Sequence, residues 1–173
     1  MNKLTVIVMC MLTGSGQAFA AENCVNTITA STPTVDFVDN GDGTVMHTKT
    51  GLMWKKCSEG LGGATCTTGA ATAHDWQAAL QLAETLNNGG GFASYNDWRV
   101  PNLKELHSIV ERQCVNPAIN ATIFPATVSA QYWSASPYAG SNSDVWHVTF
   151  NNGSDFISDK SASRYVRLVR GGQ

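Results

Sequence analysis

Apolar and polar positions divide the chain into a few readable segments. Leu4 to Leu12 is an unbroken apolar run between Lys3 and Gly14-Ser15-Gly16, and residues 21–34 are polar and irregular, predicting an extended lead-in. Val35-Asp36-Phe37-Val38 alternates, Asp39 to Gly43 is rich in turn residues, and Thr44 to Thr48 alternates again, a pattern that predicts a β-hairpin. Leu52-Met53-Trp54 predicts another short strand. Trp76, Ala79, Leu80, Ala83 and Leu86 recur at three- and four-residue steps and predict a helix, with Thr72 and Asp75 as a capping box and Asn87 to Gly91 as its stop. A second helix is expected from its cap, Asn102, to about Arg112, with Glu105 completing the box and Leu103, Leu106, Ile109 and Val110 facing inward. Beyond Cys114, residues 132–136, 145–150, 156–158 and 165–170 read as strands. Strands, then helices, then strands predicts an α+β domain whose antiparallel sheet joins the chain ends.

The first apolar run has the form of a secretory leader. Lys3 supplies the positive end, and Ala18-Phe19-Ala20 the small-x-small pattern that precedes cleavage. Residues 1–20 are expected to be removed, Cys10 with them, leaving a chain that starts at Ala21. The run falls short of the about 20 residues that span a bilayer, so the protein is expected to be exported, to the periplasm or the cell surface, rather than membrane-embedded. Four cysteines remain: Cys24, Cys57, Cys66 and Cys114. An even count in an exported chain points to disulfides, and three pairings are possible. The glycine-rich SEGLGGAT segment lets Cys57 meet Cys66, which leaves Cys24 for Cys114. Chain entropy assigns at most about 3 kcal/mol to the small loop and about 4.6 kcal/mol to the large one. No C-x₂-C pair favours zinc instead.

Charge narrows the partners. Without Lys3, ten Lys and Arg stand against thirteen Asp and Glu, a formal net charge of −3, which argues against nucleic acid. Enzyme signatures are missing: the four histidines form no HExxH, there is no Gly-x-Ser-x-Gly, and His107 with Glu111, one helical turn apart, reads as a surface pair. A non-catalytic protein without a cofactor is expected. The Asp39 to Gly43 turn has clustered oxygens that calcium could use, but lacks the bidentate Glu of an EF-hand loop, and a tight hairpin turn explains the same residues. Asp97-Trp98-Arg99-Val100-Pro101 has two readings. Trp98 lies under a sugar ring flanked by Asp97 and Arg99, or it is core, with Arg99 paired to Asp97 or a nearby carbonyl; the second is preferred. Arg164, Arg167 and Arg170 on one strand would alternate in face, and with Lys160 they form the best local anion patch.

The ordered motifs DNGDGTV-x₄-TGLMW (Asp39 to Trp54), W-x₂-A (Trp76 to Ala79), LNNGG, DWRVPNLKELHSIV (Asp97 to Val110), YWSAS (Tyr132 to Ser136), W-x-V-x-F (Trp146 to Phe150) and VRLVRGG (Val166 to Gly172) closely resemble the Lcl C-terminal domain family, over about residues 35–172. That domain ends a bacterial collagen-like adhesin, whose Gly-X-Y segment this chain does not carry. The resemblance implies a C-type-lectin-like fold, two helices packed on small antiparallel sheets, and for the adhesin itself, binding of sulfated glycosaminoglycans. The expectation that follows is an adhesion module for carbohydrate, including anionic or sulfated glycan. Trp146, Arg164, Lys160 and Arg170 are its candidate contacts, and oligomers are possible. The alternative is an envelope structural or assembly subunit with a protein partner.

Overall fold

The computed structural model describes residues 23–171. The expected leader and its cleavage point lie outside the described residues. In chain order the elements are β1 (Asn23–Cys24), β2 (Phe37–Asp39), β3 (Thr44–His47), β4 (Leu52–Lys55), β5 (Leu61–Gly62), β6 (Thr68–Gly69), β7 (Ala73–His74), α1 (Trp76–Asn88), α2 (Leu103–His107), β8 (Cys114–Val115), β9 (Gln131–Pro137), β10 (Asp144–Thr149), β11 (Asp155–Asp159), β12 (Arg164–Tyr165) and β13 (Val169–Gly171). A five-stranded sheet has the order β11-β10-β9-β12-β7 and a four-stranded sheet the order β13-β4-β3-β2. Two small ladders, β1-β8 and β5-β6, complete the set.

The expected α+β, C-type-lectin-like arrangement with two helices does not form. Among the described residues thirteen strands in four sheets dominate, and α1 is the one helix longer than five residues. The second helix has the capping box its sequence announces, Asn102 Oδ1 accepting from Glu105 N and Glu105 accepting from Asn102 N, but it stops at His107. Ser108 turns its hydroxyl back onto Glu105 O, and β-branched Val110 bridges to Ile119 in an extended pairing. Tertiary pairing therefore takes residues that apolar periodicity assigns to a helix. In α1 the cap is Asp75, whose side chain accepts from Ala78 N, while Thr72 hydrogen-bonds His74 and Glu59 instead.

Neighbouring residues of the same strand feed two different cores. Trp54, Tyr132, Val148 and Val169 join one cluster with Leu106, Ile109 and Phe124; Met53, Trp133, Val145 and Leu168 join the other, under Ala79 and Ala83 of α1. Successive side chains alternate in direction, so strands buried on both faces read as continuous apolar runs. The closing segment is not one strand. After β12 it leaves the five-stranded sheet, accepts hydrogen bonds at Val166 O from Glu59 N and at Leu168 O from Lys55 N, and enters the four-stranded sheet as β13.

The two disulfides are Cys24–Cys114 and Cys57–Cys66. They mark an oxidising, export-type environment for the folded domain. Among the described residues no helix is long and apolar enough to cross a membrane. Glu111 does not pair with His107. It is buried, and its carboxylate accepts from Ser31 N, Thr32 N, Thr32 Oγ1 and Gln113 N, pinning the lead-in beside Cys24–Cys114. His107 turns instead to Asp155, 3.0 Å away.

Candidate functional site

Each polar motif can be followed to its partners. In the hairpin turn, Asp39 Oδ1 accepts from Gly41 N and Oδ2 meets Lys56 Nζ at 2.5 Å, while Asp42 Oδ1 accepts from Thr44 N and Oγ1. Its oxygens thus serve the turn, whose Gly41 and Gly43 adopt positive φ. Among the described residues no three His, Cys, Asp or Glu side chains gather as a metal site would need. Trp98 is buried and its indole donates to Phe92 O. Arg99 pairs with Glu105 in a two-bonded fork at 2.7 Å and also reaches Gly171 O, so its acid is Glu105 rather than Asp97.

The four candidate contacts do not form one site. Arg170, on β13, is held by Asp97 at 2.6 and 3.2 Å and lies 3.8 Å from the centre of the Tyr95 ring. The hydrogen bonds from Arg170 hold the Asp97 carboxyl below the usual carboxylate range. Trp146, on β10, stands opposite Ile157 of β11 and meets Tyr138 edge-on at 5.5 Å. Arg164 lies over the other face of that sheet, 5.7 Å from the Trp133 ring, with Nη2 on Ser158 Oγ and Nη1 on Ser163 O. His147, next to Trp146 and on Arg164's side, is buried against Trp133 and Phe156. Burial, with the Arg164 charge adding, lowers its pKa to about 4, so it is neutral under Arg164.

Lys160 and Arg164 are both tied through the backbone to the junction of β7 and α1, although only Lys160 lines the groove there. Arg164 is paired in register with His74, and Trp76 N donates to Lys160 O at 2.9 Å. Lys160 Nζ donates to Asn142 O at 2.6 Å and sits 5.0 Å from the Trp76 ring centre. The Trp76 indole is oriented by its own bond to Ser134 O. Asp75, Trp76, Gln77, Lys160 and Ser161 line an open groove of about 430 Å³. Sequence reasoning placed Trp76 on the helix's core stripe and did not see this half-buried ring. The available signal was Asp75: a cap there makes Trp76 the first helical residue, at the margin of the core.

Most cations elsewhere are paired or buried. Lys49, Lys55, Lys56, Arg99 and Arg170 each meet a carboxylate within 2.7 Å, and Arg167 is fully buried. Among the described residues Lys160, Arg164, Lys104 and Arg112 have no carboxylate partner; of these Lys160 and Arg164 lie over tryptophan rings, and the buried Nε of Arg164 has no hydrogen-bond acceptor. A second, more apolar cleft of about 370 Å³ lies between Gly41–Gly43, the Cys57–Cys66 loop and Phe92, but its cation, Lys55, is committed to Glu59. A model of the Lcl C-terminal domain matches residues 43–170 of the chain. The chain belongs to this family. No curated protein matches it. Membership of the Lcl C-terminal domain family is consistent with a non-catalytic binding or adhesion module, and the groove lies within the matched residues.

Proposed function

We propose that this Lcl C-terminal domain is an exported, non-catalytic adhesion module that recognises anionic carbohydrate at the groove beside α1. One observation carries the reading: Lys160 and Arg164, two cations without carboxylate partners, each lie over a tryptophan ring at the same junction. The Trp76 ring offers a face to a sugar's C–H groups, and the two cations offer donors to its carboxylate or sulfate. Asp75 and Ser161 at the groove rim suit hydroxyls. Trp146 and Arg170 fall outside this site, the first on the opposite sheet face and the second engaged by Asp97.

The test is titration of the oxidised domain with uronic and sulfated oligosaccharides, comparing wild type with the K160A/R164A double variant. Loss of two charge-assisted contacts is expected to weaken binding about tenfold or more, while Lys104→Ala, an exposed cation elsewhere, leaves it unchanged. Equal losses in both proteins, or none in the double variant, refute the site. A second reading, an assembly subunit with a protein partner, is favoured by a different feature: Phe156 and Ile157 are exposed on an edge strand, at 55% and 41%.

A further inference from the structure

β11 is an open edge of a kind the other sheet edges are not. Opposite it in the five-stranded sheet, β7 has two residues; in the four-stranded sheet β2 has three, and β13 is covered where Val169 bridges to Arg99. β11 has five, and its ladder to β10 is bracketed by Thr149 N donating to Ser154 O and Lys160 N donating to Ser143 O. Antiparallel bonding alternates, so Phe156 and Ser158 turn their backbone groups to β10. Asp155, Ile157 and Asp159 turn their N–H groups outward, with the carbonyls of Asp155 and Ile157; that of Asp159 accepts from Ala162 N. Among the described residues no other backbone bond reaches these outward groups, while His107 Nε2 meets the Asp155 carboxylate at 3.0 Å and Ser161 N donates to that of Asp159.

Side chains on the edge say what fits it. Asp155, Ile157 and Asp159 share one sheet face, and Ile157 continues an apolar row that runs from Tyr138 through Trp146. Asp159 stands directly opposite Asp144 across the ladder, a like-charge pair that a neighbouring cation would relieve. A second copy is a poor occupant. Antiparallel pairing centred on Ile157 sets Asp155 against Asp159 of the other copy twice over, the arrangement by which edge strands avoid self-association.

We propose that β11 takes up an extended segment of a partner protein bearing basic side chains two residues either side of an apolar one, and so extends the sheet by one strand. The added strand closes hydrogen bonds with the outward groups of Asp155, Ile157 and Asp159, sets its apolar side chain beside Ile157, and places its two cations against the carboxylate oxygens that His107 and Ser161 N leave open on Asp155 and Asp159. The surface borders the Lys160–Arg164 groove, through Arg164 Nη2 on Ser158 Oγ and Ser161 N on Asp159, so peptide and glycan titrations of the same variants distinguish failure of one site from failure of the other.

The probe is a synthetic Lys-Thr-Val-Thr-Lys peptide with blocked ends, titrated against the oxidised protein by anisotropy and followed by amide hydrogen exchange. Binding is expected to slow exchange at Asp155, Ile157 and Asp159. It should weaken at least about threefold in Asp159→Lys, whose side chain is exposed and outside both cores, and be lost for a peptide N-methylated at valine. A Glu-Thr-Val-Thr-Glu peptide is expected to bind the D155K/D159K variant better than wild type. Unprotected outward amides at saturating peptide overturn the proposal, as does equal affinity for the Lys and Glu peptides. So does protection that appears with protein concentration alone and tracks a dimer by ultracentrifugation, which would assign the edge to a second copy.

Discussion

Arg167 offers the sharpest test of how this fold is held together. Its side chain is wholly buried. It donates to Lys55 O at 3.1 Å, to Lys56 O, to Ser58 Oγ at 3.2 Å and to Thr127 Oγ1 at 2.7 Å, and lies 4.8 Å from the Phe124 ring. No carboxylate touches it. Burial pushes its pKa down to about 10, against the opposing pull of Tyr132 and Glu59, so it remains a cation at neutral pH. One side chain thus joins the exit of β4, the start of the disulfide loop, the 124–127 turn and the crossing between the two larger sheets. Arg167→Met keeps much of the volume and removes every donor. The hydroxyls can rotate to other partners, but two buried carbonyls lose theirs at about 1–3 kcal/mol each. Relief from burying a charge offsets part of this, leaving a net loss of about 2–3 kcal/mol. That is a large share of the about 5–15 kcal/mol holding a domain of this size. Urea unfolding of the oxidised protein, followed by the fluorescence of buried Trp54, Trp98 and Trp133, should show a midpoint lower by about 1 M or more at unchanged slope. Arg167→Lys should fall between, since an ammonium cannot span four acceptors. A Met variant as stable as wild type would refute the reasoning, showing that desolvation of the guanidinium cancels its hydrogen bonds.

Two further outcomes are expected. His147, pushed down to about 4 by burial and by Arg164, is neutral in the folded protein where the unfolded chain, near 6.5, takes up a proton. Its contribution therefore erodes as pH falls from about 6.5 to about 4, by about 2–3 kcal/mol in all. Asp97 and Glu105, held below the ordinary carboxylate range, lose theirs only at lower pH. A His147 ring resonance that titrates near pH 6.5 in the folded state would contradict this. Glu111→Ala should cost about 3 kcal/mol and speed hydrogen exchange at Ser31 and Thr32, whose amides it accepts at 2.9 and 2.8 Å. Unchanged exchange there would show that Cys24–Cys114 holds the lead-in alone.

The candidate site was half legible. Lys160 and Arg164 stood out as a local excess of charge, and that excess survives folding because neither finds a carboxylate. Arg170 looked equivalent in sequence, yet Asp97, far back along the chain, neutralises it. Trp146 stood out as an aromatic on a polar-flanked strand, but strand alternation turns it away from Arg164. Trp76 was hidden because an apolar periodicity looks the same at the margin of a core as at its centre.

Sequence alone determined what depends on near neighbours. The hairpin turn follows from Gly41 and Gly43, the start of the short helix from Asn102 and Glu105, and the small disulfide loop from the glycines between Cys57 and Cys66. These rest on interactions a few residues long, where residue type largely decides the geometry. Tertiary structure decided where α2 ends, because Val110 gains more from pairing with Ile119 than from another helical turn. It also decided the partners of the charges: Glu111 with Ser31, Arg99 with Glu105, Arg167 with neutral oxygens from three segments. Such choices depend on sheet order and register. Those are set by burying two cores at once, a condition on the whole chain that no short stretch of it carries.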